Sequence, residues 1–338
     1  MKKNVTLLLT FLLSGSVSFG QTLVKTYYDF DHKEVHEVYY TNNYGVKNGS
    51  YVEYSEYGGI LTQGTYKNDK SVGHWIIKNE KGILLVDENY DNDGYWNGQV
   101  ARYTDGYKYA QEEYKHGVKS GHWKEWFQDE TASKVYLKPD GTTQLEHDYY
   151  YKNDLQDSTE KYYNQSGVLL SKINYMQGLK NGKAIFYTHE GSGTVWKSGD
   201  FRNDTSVAEW KEVFDNQNQP AKMNKSDAAY YRITDYGDGS NTNNVKATDY
   251  YLSGEKQSEE TLGPDGFVGW YTEYYMNGTI SKKGKYKSFR ELNNNYVREY
   301  VTVTGEDSIW DLYSIKGADS VKLKYENGKL DSTWSVFH

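Results

Sequence analysis

The sequence has no cysteine, only three prolines and few long apolar runs in 338 residues. Without cysteine there is no disulfide framework, no Cys–His set and no thiol that could accept a lipid. A mean hydropathy of −0.91 excludes a thick aliphatic core. Basic residues are outnumbered by acidic ones, and the formal net charge is −8. Such a chain repels phosphate backbones and anionic lipid head groups, so we expect neither nucleic-acid binding nor electrostatic membrane docking.

Aromatic residues and glycine are abundant instead. The chain has 36 Tyr, 9 Trp, 10 Phe and 32 Gly, a composition typical of many short strands joined by turns. Tyrosine can cover apolar area while its hydroxyl reaches water, so it is predicted to supply most of the buried surface. Because disordered chains are poor in aromatic residues, full disorder is disfavoured.

The N-terminus has the pattern of a secretory signal peptide over residues 1–20. Lys2 and Lys3 precede a short apolar run, and small residues follow up to Gly20, which suits the position before a cleavage site. The apolar run is too short for a stable transmembrane anchor; the alternative is a buried N-terminal helix. We therefore expect export to the periplasm, the cell surface or the medium. Cleavage would remove two lysines and take the formal charge from −8 to −10.

The rest of the chain is organised by an internal repeat. The string from Gly64 to Trp75 returns 48 residues later and ends at Trp123. One glycine of the repeat recurs about every 24 residues, twice replaced by another small residue. The seven copies are Gly49, Gly73, Gly98, Gly121, Ser158, Gly182 and Ala208. Each copy carries two turn signals, which leaves two strands of ordinary length and predicts one β-hairpin per repeat.

These observations predict an all-β fold, an elongated array of antiparallel β-hairpin repeats of about 24 residues in one or two blocks. Residues 21–43 are predicted to form an N-terminal capping segment. Residues 44–215 form a first repeat block, and 216–244 an insertion or joint. Residues 245–338 form a second block that ends in a C-terminal cap.

The repeated residues resemble MORN-variant repeats of bacterial envelope proteins, whose hallmark is G-x-Y-x-N-G followed by G-x-W-x-x-Y. The segments that carry the resemblance are Gly64–Asp69 with Gly73–Trp75, Gly199–Asp204 with Trp210, and the partial copy Gly284–Lys287. The resemblance implies a single-layer antiparallel sheet with roles in scaffolding, protein contacts and, in some eukaryotic proteins, lipid head groups. It also carries an automatic antitoxin label, which fits poorly with an exported chain. It implies no catalytic residue.

Four histidines invite a metal hypothesis. His74 and His122 occupy equivalent repeat positions before a tryptophan, so a structural role in the sheet explains them without a ligand. His32 and His36 flank a glutamate, but the order differs from the His-Glu-x-x-His of helical zinc sites. The Tyr-rich surroundings favour a strand there instead.

The segment Asn89–Gly94 resembles the start of a calcium loop, with oxygen-bearing side chains at alternate positions and a glycine bend. Val100 stands where the closing glutamate belongs, and the segment falls on a repeat turn. A plain turn is therefore the preferred interpretation. We predict no metal and no cofactor.

Trp75, Trp123 and Trp210 share one repeat position and are predicted to lie in register on one face. They are either core residues between hairpins or an exposed platform for sugar rings or a protein partner.

No nucleophile elbow, phosphate loop or marked carboxylate pair occurs, so we expect no enzymatic activity. The first functional hypothesis is a non-enzymatic protein-interaction or scaffolding module at the bacterial envelope. The alternatives are a glycan-binding protein and, by family label alone, an antitoxin or immunity protein.

Overall fold

The computed structural model describes residues 20–129, 134–135, 143–191, 193–215, 217, 219–221, 228–240, 243–264, 266–293, 299–316 and 320–337. The predicted signal peptide lies outside the described residues, apart from Gly20. In the described part, every regular element is a β-strand and every strand pair is antiparallel. This confirms the predicted all-β array of antiparallel hairpins. None of the described segments forms a helix that could cross a membrane.

The chain divides into two compact units, and unit 1 comprises Met1–Tyr107 and Tyr114–Gly117. Its strands are β1 (Thr22–Tyr27), β2 (Val35–Thr41), β3 (Lys47–Tyr54), β4 (Ile60–Lys67), β5 (Lys70–Lys78), β6 (Leu84–Tyr90) and β7 (Gly98–Thr104). Each strand pairs with the next along the chain, so the unit is a meander.

Unit 2 comprises Lys108–Glu113 and Val118–His338. Its strands up to the predicted joint are β8 (Tyr107–Lys115, in part), β9 (Val118–Lys119), β10 (Gly121–Trp126), β11 (Gln128–Asp129), β12 (Lys134–Val135), β13 (Leu145–Lys152), β14 (Leu155–Tyr163), β15 (Leu169–Met176), β16 (Leu179–Tyr187), β17 (Val195–Arg202) and β18 (Thr205–Phe214). The remaining strands are β19 (Tyr230–Asp235), β20 (Val245–Tyr251), β21 (Lys256–Gly263), β22 (Gly266–Phe267), β23 (Gly269–Tyr274), β24 (Ile280–Asn293), β25 (Glu299–Tyr313), β26 (Ser320–Glu326) and β27 (Lys329–Phe337). Here too, successive strands pair antiparallel, and β11 and β12 form a separate two-stranded ribbon.

The hairpins close through two kinds of turn. In the first, two residues with positive φ join the strands, as in Asn68-Asp69 with φ of 51° and 61°. This is the turn that matches the twist of paired strands, and Asn and Asp tolerate it best. In the second, an Asx side chain caps a wider loop. Asn79 Oδ1 accepts hydrogen bonds from the backbone N–H groups of Lys81 and Ile83, both at 3.0 Å.

The repeated small residue has a conformational reason. All seven copies identified in the sequence have positive φ, including the non-glycine copies Ser158 at 68° and Ala208 at 53°. At the second copy, Gly73, the ladder between β4 and β5 shifts register. The left-handed residue therefore inserts a bulge at this point of the ladder.

The bulge places a tryptophan flat over a glycine of the neighbouring strand. A Cβ added to Gly64 would lie 2.1 Å from the indole of Trp75, and the same distance holds for Gly199 with Trp210 and Gly284 with Trp310. Tyrosines complete the packing: the rings of Tyr66 and Trp75 meet edge to face at 4.9 Å. Within each unit, the core is thus built from aromatic rings packed on one face of the sheet.

Neighbouring turns are tied together by a repeated lysine–aspartate contact that uses both side chain and backbone. The N–H of Asp69 donates to the carbonyl of Lys47 at 2.9 Å, and the Lys47 N–H donates back to Asp69 Oδ1 at 2.7 Å. The same pair of bonds joins Lys119 to Asp154 and Lys180 to Asp204. The turns of successive hairpins are therefore held in register by more than the strand ladder.

The division into two units does not fall in the span 216–244. That span contains β19, which pairs along its whole length with β18 and with β20. The compact units divide near Tyr107 instead. A division into compact units does not test the boundaries of sequence repeats, so the two repeat blocks and the joint stay a prediction.

Candidate functional site

The three tryptophans considered as a binding row are core residues in the structure. Trp75, Trp123 and Trp210 are 4%, 5% and 4% exposed. Their indole N–H groups donate to backbone carbonyls, for example Trp210 Nε1 to the carbonyl of Asp200 at 3.1 Å. A ring buried in this way has no free face for a sugar, so the buried rows do not form the exposed platform that the sequence left open.

The candidate histidines also have local partners. His74 Nε2 lies 2.7 Å from Asp87 Oδ1 on the next strand, and His122 Nε2 contacts Asp148 in the same manner. His32 instead stacks on Tyr27 with ring centroids 4.6 Å apart. None of these histidines belongs to a group of three convergent ligand atoms among the described residues.

The segment that resembles a calcium loop, Asn89–Gly94, spans the end of β6 and the start of its connection to β7. Asp91 Oδ1 accepts hydrogen bonds from the backbone N–H groups of Asp93 and Tyr95, at 2.9 and 3.0 Å. Val100, in the place of the closing glutamate, is fully buried. The loop therefore has the geometry of a capped turn. The structure adds one neighbour that the sequence did not reveal, since His116 Nδ1 lies 2.6 Å from Asp91 Oδ2.

A different site stands out in unit 2, where the aromatic face gives way to a row of charged and polar side chains. Strand registers place these residues directly opposite one another on successive strands. The row consists of Lys197, Glu212, Arg232, Asp249, Ser258, Glu273 and Lys282. Opposite residues of an antiparallel pair share a face, so all of these side chains belong to one surface.

At the centre of the row lies a buried ion cluster. The Arg232 guanidinium makes a bidentate contact with Asp249, at 2.7 and 2.8 Å, and an ion pair with Glu260 at 2.9 Å. Asp249 is 8% exposed and Glu260 only 4%. Ser258 donates a hydrogen bond of 2.6 Å to the other oxygen of Glu260. Two largely buried carboxylates thus share one cation.

Small residues follow Trp210 in its row, because the next two strands carry Thr234 and Ala247 at the paired positions. An open cleft of about 360 Å³ lies beside the ion cluster. Its lining consists of Phe214, Tyr230, Arg232, Asp249, Gln257, Ser258, Phe267, Tyr271 and Glu273. A cleft of this size holds a long side chain or one sugar ring.

Burial changes the protonation of the cluster. Desolvation, reinforced by the charge of Asp249, raises the pKa of Glu260 to about 7. Although burial opposes its charge, the hydrogen bonds and charge of Asp249 raise the pKa of Arg232 further. Burial also raises the pKa of Tyr230 to about 12. A buried carboxyl group poised near neutral pH beside a cleft is a common mark of a functional site.

The cleft is rich in hydrogen-bond acceptors. The lining holds one cation, Arg232, and two carboxylates, Asp249 and Glu273. Arg232 is already engaged by Asp249 and by Glu260, which is buried outside the lining. Within the described residues, Gln257 Oε1 is buried and accepts no hydrogen bond from the protein. A ligand for this cleft would therefore present N–H or O–H donors, and a positive charge would add to its binding.

This site was not predicted from the sequence, because Arg232 lies in the span interpreted as a joint. The signal was present in the alternation of Tyr230, Arg232 and Thr234, which places a charge between two residues of a buried face. Its partners, Asp249 and Glu260, become neighbours only through the register of β19, β20 and β21.

Fold and site together define the class of protein: an all-β hairpin array with a polar cleft in its aromatic face. No protein-family model and no curated protein matches the chain. Among solved structures it is similar to a chain of the TcdB2-TccC3-Cdc42 crystal structure. The identity is 11% and the TM-score 0.15, over 92% of this chain and 18% of that chain. A chain of TcdB2-TccC3 without the hypervariable C-terminal region gives 10% identity and a TM-score of 0.13, over 91% of this chain and 22% of that one. This chain thus spans about a fifth of the length of those chains, and likenesses this weak carry no argument.

Proposed function

We propose that the chain is a non-enzymatic interaction module that is exported to the bacterial cell envelope and binds a partner protein there. The observation that carries the proposal is the acceptor-rich cleft beside Arg232, Asp249 and Glu260. Its excess of carboxylates suits a lysine or arginine side chain of the partner, and the aromatic walls suit the aliphatic stem of such a side chain. The export that the proposal requires rests on the signal-peptide pattern of residues 1–20.

The organisation of the array supports a scaffolding role. The aromatic core and the lysine–aspartate ties at the turns hold successive hairpins in a fixed register. A surface that is ordered before binding pays less conformational entropy when a partner docks.

The proposal is tested by capturing partners from the organism's own envelope extract with the purified chain. Glu273→Gln removes one carboxylate of the cleft at constant size. Glu259→Gln is the matched control, since Glu259 lies on β21 outside the cleft lining and pairs with Lys256 and Tyr274. We expect a protein that is retained by the parent and by Glu259→Gln but lost with Glu273→Gln. Retention that is the same for all three proteins contradicts the role of the cleft.

Glycan binding is the second candidate, favoured by Phe267 and Tyr271 on the wall of the same acceptor-rich cleft. Sugar hydroxyls donate to carboxylates while the ring packs on an aromatic face. Envelope polysaccharides that bind the parent and not Tyr271→Ala would support it, and absence of binding by the parent would count against it.

No feature of the described residues points to the antitoxin label, and we do not propose that role.

A further inference from the structure

Two successive loops of unit 1 bring three side chains with metal-binding atoms together. Asp91 and Asp93 lie in the loop after β6, and His116 lies in the turn after β8. One ligand atom from each of the three lies within 4.8 Å of the others. The cluster combines an imidazole nitrogen with two carboxylates and is separate from the cleft of unit 2.

The turn geometry does not require ionisable residues at these positions. The left-handed position of His116 (φ 52°) is occupied by asparagine in four other turns, namely Asn68, Asn153, Asn203 and Asn327. The capping role of Asp91 is performed by Asn42, Asn79 and Asn164 in other loops, and by Asp215 in one more. A neutral amide would satisfy the backbone at both positions, so the turn geometry requires neither the imidazole nor the charge of the carboxylate.

The two side chains are held in position by their surroundings. Asp91 Oδ1 is committed to two backbone N–H groups, which turns Oδ2 towards His116 at 2.6 Å. The ring of Tyr95 packs against the imidazole with centroids 4.5 Å apart. The Asp91 side chain is only 18% exposed, whereas that of His116 is 59% exposed. The cluster is therefore ordered on one side and open to solvent on the other.

We propose that Asp91, Asp93 and His116 form a binding site for a divalent first-row transition ion such as Zn²⁺. An imidazole ligand favours this group of ions over Ca²⁺ or Mg²⁺, which prefer oxygen ligands alone. Three protein ligands leave further coordination positions for solvent. The ion would replace the hydrogen bond between His116 and Asp91 and would tie two successive loops of the array together.

The test is a titration of the purified full chain, without a histidine tag, with Zn²⁺ followed by calorimetry. His116→Asn introduces the residue that four other turns carry, so the left-handed backbone is preserved. Asp93→Asn removes the second carboxylate. His122→Asn is the matched control, because His122 pairs with Asp148 and lies outside the cluster.

We expect one saturable site in the parent and in His122→Asn. Loss of an outer-shell partner already costs about 10- to 100-fold in metal affinity, so loss of a ligand in His116→Asn or Asp93→Asn is expected to cost at least as much. Unchanged circular dichroism and melting of the metal-free variants shows that they fold. Absence of saturable binding in the parent overturns the proposal, and so does equal binding by His116→Asn or loss of binding in His122→Asn.

Discussion

Unit 2 builds one face of its sheet in two different ways. Where Trp210 covers Gly199 and Trp310 covers Gly284, the face is closed by flat rings. Between them, Thr234 and Ala247 stand in the row of Trp210, and the next row contains Arg232 and Asp249. The first arrangement buries apolar area, whereas the second buries charge and leaves a cleft.

The difference separates what stabilises the array from what it can bind. Buried ring area is favourable at about 25 cal/mol per Å². A buried ion cluster is often no more stable than an apolar replacement of the same volume, although removing one of its members is costly. We therefore interpret the aromatic stretches as the stabilising frame and the charged stretch as the part retained for recognition.

Removing the shared cation is expected to have the largest effect. Arg232→Met keeps much of the side-chain volume but leaves Asp249 and Glu260 buried without their partner. We expect a loss of about 3–5 kcal/mol in the free energy of unfolding at pH 7. The loss should shrink towards pH 5, where Glu260 is protonated. Denaturant melts measure it, with the exposed Lys183→Met as control; equal stability of the two variants would show that the cluster is not energetically coupled.

Filling the space beneath a tryptophan should come next. Gly64→Ala places a methyl group 2.1 Å from the Trp75 ring, so the indole or the strand must move. We expect destabilisation of about 3 kcal/mol, the upper part of the range for overpacked cores. Gly59→Ala in the same unit is the control, because its nearest contact would be the Ser55 hydroxyl at 3.4 Å. A Gly64→Ala protein that melts with the control would refute the close ring–glycine packing.

The raised pKa of Glu260 predicts how stability changes with pH. Between the unfolded value of 4.5 and about 7, the folded chain binds the proton more tightly than the unfolded chain. Stability therefore falls as pH rises through this window, by on the order of 3 kcal/mol for the full shift. Glu260→Gln should flatten this slope in melts at pH 5 to 8.

Glu259→Gln serves as the control for that slope. The pKa of Glu259 is lowered by its hydrogen bond to Lys256, so its contribution is lost only as pH falls below its ordinary range. His147, whose pKa Glu125 raises by a hydrogen bond, adds a further loss of stability above pH 6.5 in both variants. Parallel slopes for Glu260→Gln and Glu259→Gln would contradict the assignment.

The hairpins were predictable because their signals are local. Asn68-Asp69 and the glycine at position 73 act within a few residues, and the same turn returns at Asn153-Asp154 and Asn203-Asp204. The two candidate sites were not predictable from the sequence, since their residues come together only across strands or loops. His116 lies 25 residues from Asp91, and Arg232 lies 17 residues from Asp249. Their proximity depends on strand register, and bulges shift that register in some strand pairs but not between β19 and β20, which composition does not reveal.

The smallest effect on stability is expected at the bulge residue of the repeat. Its sign should differ between the copy that carries alanine and the copy that carries glycine. Ala208 occupies the left-handed conformation that glycine occupies at position 73. Ala208→Gly should therefore stabilise the chain by about 1 kcal/mol, since a non-glycine residue in this region is strained. Gly73→Ala should destabilise it by a similar amount for backbone reasons alone, because an added Cβ meets no atom within 4 Å. Thermal melts compare the two variants with the parent. Shifts of the same sign would mean that side-chain packing, and not the backbone angle, selects the small residue of the repeat.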